Sequence, residues 1–516
     1  MKFTFTTLFT SSLVILIVIQ LISWGCKTKN AEGEKLAKTY CASCHQLPDP
    51  SILPRKVWRL STLPYMAIMM GVDKDIIKLE KPLSNYAILR PSSQMISDED
   101  WEKIKDYYLS AAPKELEMPE YAPLKELKNV FEVENVNVAL QKTTIPNFTT
   151  IKIDTINHKI FAGDQYNRVI WVIDKDGKPL QIIQNQNALA NVDLTYAKNN
   201  QYLLTFIGKT TQANPEISGS VEQFEMKGNT LIQQKQLFNN LERPIEFTYK
   251  NLDENPENEI ISCEFGFKVG GLSIWKMNKK GEYEKQILST GPGATRTIIT
   301  DFDGDKREDI LALFAQGDER IVVYLNKGKL QFEEKLLLRF PPIYGSTSFN
   351  FIDTDGDGNK DIVYTAGDNA DFSIILKPYH GVYIFKNQSG LNGALPQFKQ
   401  THFFQQNGST KSIAKDFDND GDIDIVSIAL FPDTDHRPLE GFIYLENTGK
   451  NYTRKTLNIN HLGRWNVMDA ADIDHDGDVD IVLGSHPVAK FPSGFDQAWK
   501  KGSGLMILRN KTKDKQ

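Results

Sequence analysis

The chain has 516 residues, of which 40% are apolar, 10% aromatic and 24% charged. This is the composition of a globular protein, and it excludes a collagen, a largely disordered chain and a protein with many membrane spans. The 66 acidic residues outnumber the 60 basic ones, so the net charge is −6. Without a basic excess to neutralise phosphates, nucleic acid is not an expected partner.

The N-terminus has the features of an export signal. Lys2 precedes an apolar run, Leu13 to Ile22, which is short for a membrane span but suits the hydrophobic region of a signal peptide. The run is followed by Gly25-Cys26, and a small residue before a cysteine resembles a bacterial lipoprotein cleavage site. This implies that residues 1–25 are a signal peptide and that Cys26 is lipidated. The protein would then be anchored to a membrane on the periplasmic or cell-surface side. An ordinary cleaved signal and an uncleaved anchor, which also export the protein, stay open.

Three of the next residues form a C-x-x-C-H motif: Cys41, Cys44 and His45. This spacing is typical of c-type haem attachment, in which two thiols add to the haem vinyl groups and the following imidazole binds the iron. A zinc site would need further Cys or His nearby, yet the next histidine is His158. A redox dithiol would need a βαβ context, which the surrounding sequence lacks.

Two predicted helices flank this motif. Residues 31–39 predict a helix that leads into it, and Ser97 to Asp100 form a capping box that opens a second helix containing Trp101. Pro113 ends the second helix. Residues 31–112 thus resemble a small all-α monohaem cytochrome c domain. The resemblance implies one haem c bound covalently by Cys41 and Cys44, with His45 as the proximal iron ligand.

The distal iron ligand is the least defined part of this prediction. Leu63-Pro64-Tyr65-Met66 resembles the Leu-Pro-x-Met segment of cytochrome domains attached to repeat-rich bacterial proteins, which implies Met66 as the ligand. A thioether ligand would raise the reduction potential and suit electron transfer. Met69, Met70 and Met95 stay open as alternatives, and Met95 precedes the closing helix, where class I cytochromes place their ligand.

A proline-rich and charged segment, residues 113–129, predicts a linker. Beyond it, four acidic loops repeat with carboxylates at positions 1, 3, 5 and 9. The predicted ligands are Asp301, Asp303, Asp305, Asp309; Asp353, Asp355, Asp357, Asp361; Asp416, Asp418, Asp420, Asp424; and Asp472, Asp474, Asp476, Asp480. Each loop has enough oxygen atoms to bind one hard cation, with a backbone carbonyl at position 7 as a further ligand.

These loops are not EF-hands. Position 12 holds Ala312, Tyr364, Ser427 or Leu483 instead of a bidentate Glu, and the flanking residues are β-branched and apolar, which predicts strands on both sides. Four solvated acidic turns without metal stay open as the alternative. A second periodic element, a strand that ends in Asn326, Asn387, Asn447 or Asn510, follows each loop.

Weaker copies precede the acidic ones and bring the count to seven units of about 40–60 residues, which is the range of propeller blades. From Phe131 to Asn510 the chain resembles the FG-GAP/VCBS repeat family, seen also in the integrin alpha propeller. The predicted fold is therefore mainly β: a seven-bladed β-propeller over residues 130–511, preceded by the small cytochrome c domain. The resemblance implies up to four Ca²⁺ ions, in blades four to seven, and closure of the ring by residues 131–140 against residues 505–508.

Catalytic motifs are missing from the propeller sequence: it has no G-x-S-x-G, no complete Walker A and no G-x-G-x-x-G. The favoured hypothesis is an exported, membrane-tethered cytochrome that passes single electrons to a redox partner protein, with a propeller that binds a protein or glycan. The alternative is a propeller-type oxidoreductase that passes substrate electrons to its own haem. It resembles the layout of pyrroloquinoline-quinone dehydrogenases but lacks their repeated tryptophan motifs. A propeller serving only as an adhesion scaffold is a third case.

Overall fold

The computed structural model describes residues 31–74, 90–121, 123–138, 145–212, 214–253, 255–267, 269–369, 375–388, 395–487 and 493–513. The chain divides into two compact units at Glu117/Met118. In the described part of the chain, no helix combines the length and apolarity needed to cross a bilayer. The predicted signal peptide, residues 1–25, and Cys26 lie outside the described residues.

The N-terminal unit is helical, and its helices are short. Helix α1 covers residues 31–40 and leads into a 3-10 turn at Cys41–Ser43. A second 3-10 turn at Pro50–Ile52 precedes α2 (Arg55–Val57), a π-turn (Trp58–Thr62) and α3 (Leu63–Met69). The longest helix, α4 (Asp98–Ala111), closes the unit.

Helix α4 begins where the capping box predicts it. The Ser97 side chain accepts a hydrogen bond from the backbone N–H of Asp100 at 3.1 Å, which satisfies one of the free donors of the first turn. Trp101, Ile104 and Tyr108 are buried along one face of the helix. Helix α1 crosses α4 at Gly33, where a Cβ would lie 2.3 Å from the Lys103 carbonyl oxygen, so only glycine permits this approach.

The second unit consists of seven antiparallel sheets, each of at least four strands. The strands of blades 1 to 3 are β3 (Phe148–Asp154), β4 (Lys159–Asp164), β5 (Val169–Asp174), β6 (Pro179–Gln184); β7 (Ala188–Asp193), β8 (Gln201–Gly208), β9 (Gly219–Lys227), β10 (Thr230–Leu241); and β11 (Pro244–Lys250), β12 (Glu259–Glu264), β13 (Gly271–Met277), β14 (Tyr283–Thr290). A 3-10 turn, Ala197–Asn199, lies between β7 and β8.

Blades 4 to 7 follow the same pattern. Their strands are β15 (Ala294–Thr300), β16 (Asp309–Phe314), β17 (Arg320–Asn326), β18 (Phe332–Arg339); β19 (Ser346–Ile352), β20 (Asp361–Ala366), β21 (Gly381–Asn387), β22 (Phe398–Gln405); β23 (Ser409–Lys415), β24 (Asp424–Ala429), β25 (Phe442–Asn447), β26 (Tyr452–Thr456); and β27 (Trp465–Ala471), β28 (Asp480–Ser485), β29 (Gly504–Asn510) with β2 (Phe131–Asn137). A short helix, α5 (Asp496–Lys501), precedes β29.

The sheets are arranged as a closed ring. The first strands of consecutive blades, β3, β7, β11, β15, β19, β23 and β27, contact one another in cyclic order, and β27 contacts β3 again. Separate clusters of buried apolar side chains lie between neighbouring blades; Phe148 and Ile507, for example, belong to the cluster between blades 1 and 7. The predicted seven-bladed β-propeller is confirmed.

The ring closes through strands from opposite ends of the unit. Strand β2 pairs antiparallel with β29, from Phe131 opposite Asn510 to Asn137 opposite Gly504. Blade 7 therefore contains three C-terminal strands and one strand from the start of the propeller. This is the closure that the sequence predicts for residues 131–140, as far as the described residues extend.

Part of the segment predicted as a linker, residues 113–129, belongs to the propeller sheet. Strand β1 (Lys125–Glu126) adds to blade 6 by parallel pairing with β26. The Tyr121 ring lies between the guanidinium groups of Arg437 and Arg454, at 4.4 and 4.7 Å from its centroid. Leu127 is buried in the core between blades 6 and 7. Aromatic and apolar side chains within the charged stretch explain why it packs against blade 6.

Candidate metal sites

The acidic loops occupy equivalent places in four consecutive blades. Each connects the first strand of its blade to the second: residues 301–309 in blade 4, 353–361 in blade 5, 416–424 in blade 6 and 472–480 in blade 7. The aspartate at position 9 is the first residue of the second strand. The sequence prediction that these loops join two strands is therefore confirmed.

The aspartate at position 9 holds the loop closed. In blade 6, Asp424 is fully buried and accepts hydrogen bonds from the backbone N–H of Phe417 at 3.3 Å and of Asn447 at 2.8 Å. Asp309, Asp361 and Asp480 accept the equivalent two bonds in their own blades. One carboxylate thus joins position 2 of the loop to the end of the third strand.

The aspartate at position 1 is turned towards the inside of the loop by backbone donors. In blade 5, Asp353 accepts hydrogen bonds from Gly356 and Gly358, both at 2.8 Å. Burial works to raise the pKa of Asp353, but these backbone bonds outweigh it and lower the pKa below its usual value. Positions 4 and 6 have positive φ in all four loops, which glycine adopts without strain; the non-glycine residues there are Lys306, Asn419 and His475.

Each loop brings at least three carboxylates together. One oxygen from each of three aspartates lies within 4.8 Å of the others, in the sets Asp301, Asp303, Asp309; Asp353, Asp355, Asp357; Asp416, Asp418, Asp424; and Asp472, Asp474, Asp476. Positions 1 and 3 belong to every set, whereas the third member is position 9 in blades 4 and 6 and position 5 in blades 5 and 7. Outside these sets, Asp305 forms an ion pair with Arg307.

The donor atoms suit a hard divalent cation such as calcium. Carboxylate oxygen is the preferred ligand of Ca²⁺, and several of these oxygens are buried without a hydrogen-bond partner: one Oδ1 atom each in Asp416, Asp418, Asp474 and Asp478. Burial and, to a smaller extent, the neighbouring Asp420 carboxylate raise the pKa of Asp418 to about 6. Excess negative charge without a bound partner is the condition that a cation relieves. The residues therefore fit calcium.

Asp478 is a candidate ligand that the sequence analysis missed. It lies at position 7 of the blade 7 loop, where only a backbone carbonyl was predicted, and its side chain is 1% exposed. Its Oδ2 atom accepts hydrogen bonds from Thr512 and Lys513, while Oδ1 has no partner. Asp422 occupies position 7 in blade 6, so acids at this position were the signal in the sequence.

Three of the asparagines that end the third strands connect neighbouring blades. The side-chain amide of Asn510 donates to the carbonyls of Phe417 in blade 6 and Val479 in its own blade, at 2.7 and 3.0 Å. Asn447 donates in the same way to Thr354 of blade 5, and Asn326 to Leu252 of blade 3. The sequence shows these asparagines as part of the repeat but does not reveal their role, because their partners belong to the preceding blade.

The C-x-x-C-H motif lies where α1 ends. Cys41 and Cys44 are free thiols, Cys41 half-buried and Cys44 exposed. Burial raises the pKa of Cys41 to about 11, with Cys44 adding to the effect. His45 is half-buried, and its Nδ1 lies 2.9 Å from the Gln46 carbonyl oxygen, so Nε2 is the nitrogen left for a ligand.

The segment after this motif is held by buried aromatic side chains. Tyr108 of α4 donates a hydrogen bond to the Pro48 carbonyl at 3.1 Å, and Trp58 Nε1 donates to the Pro50 carbonyl at 2.9 Å. Met66 is half-buried on α3, and Met70, next to that helix, is 8% exposed. Met69 and Met95 are 36% and 50% exposed.

A short helix lies close to Arg464. Asp496–Lys501 form α5, and Trp499 is buried with its Nε1 donating to the Asn460 carbonyl at 2.7 Å. Arg464 is also buried and lies against the rings of Phe431 and Trp499. In the described part of this segment, the helix therefore packs against the residues between β26 and β27.

Comparison with known proteins identifies the repeat. The family described as FG-GAP-like repeat matches residues 301–364 and 416–483, which contain the loops of blades 4 to 7. No curated protein matches the chain. Among solved structures, the N-terminal domain of Nup159 is 11% identical and covers 76% of this chain and 99% of its own, with a TM-score of 0.41. The β-propeller domain of Myceliophteria thermophila Cps50 (Swd1) is 8% identical and covers 72% and 98%, with a TM-score of 0.40. The chain thus contains FG-GAP-like repeats within a seven-bladed β-propeller.

Proposed function

We propose that this protein is an exported, membrane-tethered electron-transfer protein, in which the N-terminal unit carries one covalent haem c and a calcium-stabilised propeller binds a partner protein or glycan. The observation that carries the proposal is the Cys41-x-x-Cys44-His45 motif at the end of α1, with two free thiols and an available imidazole nitrogen. Haem c supplies reversible one-electron chemistry at iron.

The packing of the N-terminal unit supports this role for the motif. Helices α1 and α4 cross in close contact at Gly33, and α4 holds the segment after the motif through Tyr108. Residues 41–50 are therefore supported on one side by buried aromatic residues. A haem attached to Cys41 and Cys44 would lie next to a segment that is already held in place. The structural change of the protein on gain and loss of an electron would then be small.

Met66 is the proposed distal ligand. It lies on α3, which begins with Leu63 and Pro64, and Pro64 fixes the start of the helix. The half-buried side chain of Met66 remains accessible to a group bound nearby, unlike that of Met70, which is 8% exposed. The side chains of Met69 and Met95, exposed by 36% and 50%, are less protected from water than a thioether ligand needs.

The propeller is proposed as the recognition module. FG-GAP-like repeats, the closed ring and four acidic loops give a rigid scaffold on which connecting segments can contact a ligand. Calcium in the loops of blades 4 to 7 would neutralise the clustered carboxylates and fix those segments. Cys26 is proposed as the lipid anchor that keeps both units at the membrane surface.

The decisive test is covalent haem attachment. The protein is produced by export together with haem-attachment machinery, denatured, separated by electrophoresis and stained for haem peroxidase activity. We expect haem to stay with the chain, and the variant Cys41→Ser/Cys44→Ser to lose it. Cys263→Ser is the matched control, because Cys263 is buried in β12 and far in sequence from the motif. A wild-type chain without covalent haem would overturn the electron-transfer proposal.

Two further measurements test the rest. Met66→Ala should abolish the absorption near 695 nm that methionine-ligated ferric haem shows, while Met95→Ala should retain it. Cys26→Ser should move the protein from the membrane to the soluble fraction. An organic cofactor released from purified wild-type protein, with substrate-dependent haem reduction, would instead favour the oxidoreductase.

A further inference from the structure

One residue position distinguishes the loops from one another. It is the residue directly before the asparagine that ends the third strand, one residue beyond the partner of position 10, and we call it the flanking position. In each of blades 4 to 7, the pairing of the second and third strands places this residue beside the position 9 carboxylate. The residues at the flanking position are Leu325 in blade 4, Lys386 in blade 5, Glu446 in blade 6 and Arg509 in blade 7.

In blades 5 and 7 the flanking residue is basic and contacts two loop carboxylates. Lys386 Nζ lies 3.0 Å from Asp361 Oδ2 and 2.7 Å from Asp355 Oδ2, at positions 9 and 3. Arg509 contacts the corresponding residues of blade 7, at 3.0 Å from Asp480 and 3.4 Å from Asp474. A fixed positive charge therefore already lies among the carboxylates of these two loops.

Blade 3 shows the same arrangement without a full set of aspartates. Its loop has Asn251, Asp253 and Asn255 at positions 1, 3 and 5, and Glu259 at position 9. Ile260 pairs with Trp275, so Lys276 occupies the flanking position, and its Nζ lies 2.8 Å from the position 3 carboxylate of Asp253. In this loop, which has fewer acids, the ammonium group contacts a carboxylate at one of the positions that belong to the acidic cluster in blades 4 to 7.

Blade 6 has the opposite charge at the flanking position. Glu446 forms an ion pair with Lys455 of β26, on the neighbouring strand. Among the described residues, no aspartate of the 416–424 loop pairs with a basic side chain. The buried Oδ1 atoms of Asp416 and Asp418 have no hydrogen-bond partner. Blade 7 also has two such oxygen atoms, but in the loops of blades 4, 5 and 7 at least one aspartate pairs with a basic side chain, so the negative charge of the blade 6 loop is the least compensated of the four.

We propose that the flanking residue sets how tightly each loop binds calcium: blade 6 binds it most tightly, blade 4 less so, and blades 5 and 7 most weakly. The inference rests on the proposed calcium binding of the loops and grades it. The physical reason is Coulombic, because a cation fixed near a binding site repels an incoming cation and occupies the oxygens it needs. In blade 3, Lys276 replaces the ion altogether.

The test changes the charge at the flanking position in blades 5 and 6. Glu446→Lys gives blade 6 the flanking residue of blade 5, and Glu446→Gln is the matched control, which also removes the pair with Lys455 but adds no positive charge. Lys386→Gln is the reciprocal variant. The chelator-treated full chain is titrated with Ca²⁺ by calorimetry, and native mass spectrometry counts the ions bound.

For the wild type we expect at least two affinity classes, with one ion in the tightest. Glu446→Lys should weaken the tightest class by about tenfold or more, well beyond the effect of Glu446→Gln, since ligand charge sets affinity in such loops. Lys386→Gln should strengthen one of the weak sites, and this variant decides the matter if Glu446→Lys does not fold.

The outcomes separate two kinds of failure. A wild-type chain that binds no Ca²⁺ would overturn the calcium part of the proposed function and the grading with it. A chain that binds several ions, but binds them alike in the Glu446→Lys and Glu446→Gln variants and in the Lys386→Gln variant, would overturn the grading alone.

Discussion

Blades 1 and 2 have the same arrangement of four antiparallel strands as blades 4 to 7, but the connection between the first and the second strand differs. In blade 1 the connection is a short turn after Asp154, whose carboxylate accepts hydrogen bonds from the backbone of Ile156 and Asn157 and from the Tyr202 hydroxyl. In blade 2 it is a 3-10 turn at Ala197–Asn199. In blades 4 to 7 it is a loop with at least four carboxylates.

This difference separates two ways to fix the same connection. The turns of blades 1 and 2 are complete within the protein, because their polar groups bond to one another. The acidic loops bring like charges together and leave buried oxygens without a partner. In blade 5 the Lys386 ammonium group supplies a positive charge to the loop, and we expect an ion from solution to supply it where no such side chain is present. Stability of blades 4 to 7 should therefore depend on the Ca²⁺ concentration, and that of blades 1 and 2 should not.

Removal of calcium should have the largest effect. Each site that is occupied at roughly a hundredfold excess over its Kd stabilises the folded chain by about 2.7 kcal/mol. A chelator should lower the free energy of unfolding and speed hydrogen exchange in the loops of blades 4 to 7, with little change in blades 1 and 2. Hydrogen exchange followed by mass spectrometry checks this. Equal acceleration in all blades would contradict the comparison.

Loss of a position 9 carboxylate should come next. Asp424→Ala leaves two backbone N–H groups and the Tyr444 hydroxyl without their acceptor in a buried site, which should cost about 3 kcal/mol or more. Chemical denaturation in the presence of chelator measures this structural part separately from metal binding. Asp420→Asn at exposed position 5 is the control and should change the same free energy by less than about 0.5 kcal/mol.

A buried acid outside the loops should make the stability of the chain depend on pH independently of calcium. Glu319 lies between β16 and β17 and accepts hydrogen bonds from Gly345 and Ser346. Burial raises its pKa to about 8, so between about pH 4 and pH 8 the folded chain binds more protons than the unfolded one, and stability falls as pH rises through this range. In Glu319→Gln, the free energy of unfolding should decrease by roughly 1–3 kcal/mol less over this pH range than in the wild type, with or without calcium. Denaturation midpoints across this pH range check it, and an unchanged slope would count against it.

The smallest effect is expected in blade 3. Lys276→Met removes the ion pair between Lys276 and Asp253. Because the lysine side chain is half exposed, the free energy of unfolding should fall by only about 0.5–1 kcal/mol. Unlike the loss of calcium, this change should be the same with and without chelator. A loss that Ca²⁺ restores would show that the blade 3 loop still binds metal.

The sequence predicts the repeated part of the structure well. Aspartates at fixed spacing, apolar strands on both sides and an asparagine at the end of the third strand indicate four units, and weaker copies of the same strand pattern bring the count to seven, because each feature is local and recurs. The closure by β2 follows from the same repeat, since blade 7 would otherwise lack its outer strand.

The remainder depends on partners far apart in sequence. Lys386 bonds carboxylates 25 and 31 positions earlier, and Tyr121 packs against arginines more than 300 positions later, so neither contact leaves a local pattern. For the same reason a linker was predicted where β1 lies. Asp478 was missed because position 7 varies among the loops. The haem residues remain a prediction from the motif and its flanking helices.

The pairing of β2 with β29 means that the propeller is complete only when both ends of the unit are present. Phe131 pairs with Asn510, so this pairing can form only after the chain has been made as far as β29. A chain truncated before Gly504 would leave both β2 and β28 with an unpaired edge, the surface from which sheets aggregate or are attacked by proteases. Incomplete chains should therefore be more prone to aggregation and proteolysis than the full chain.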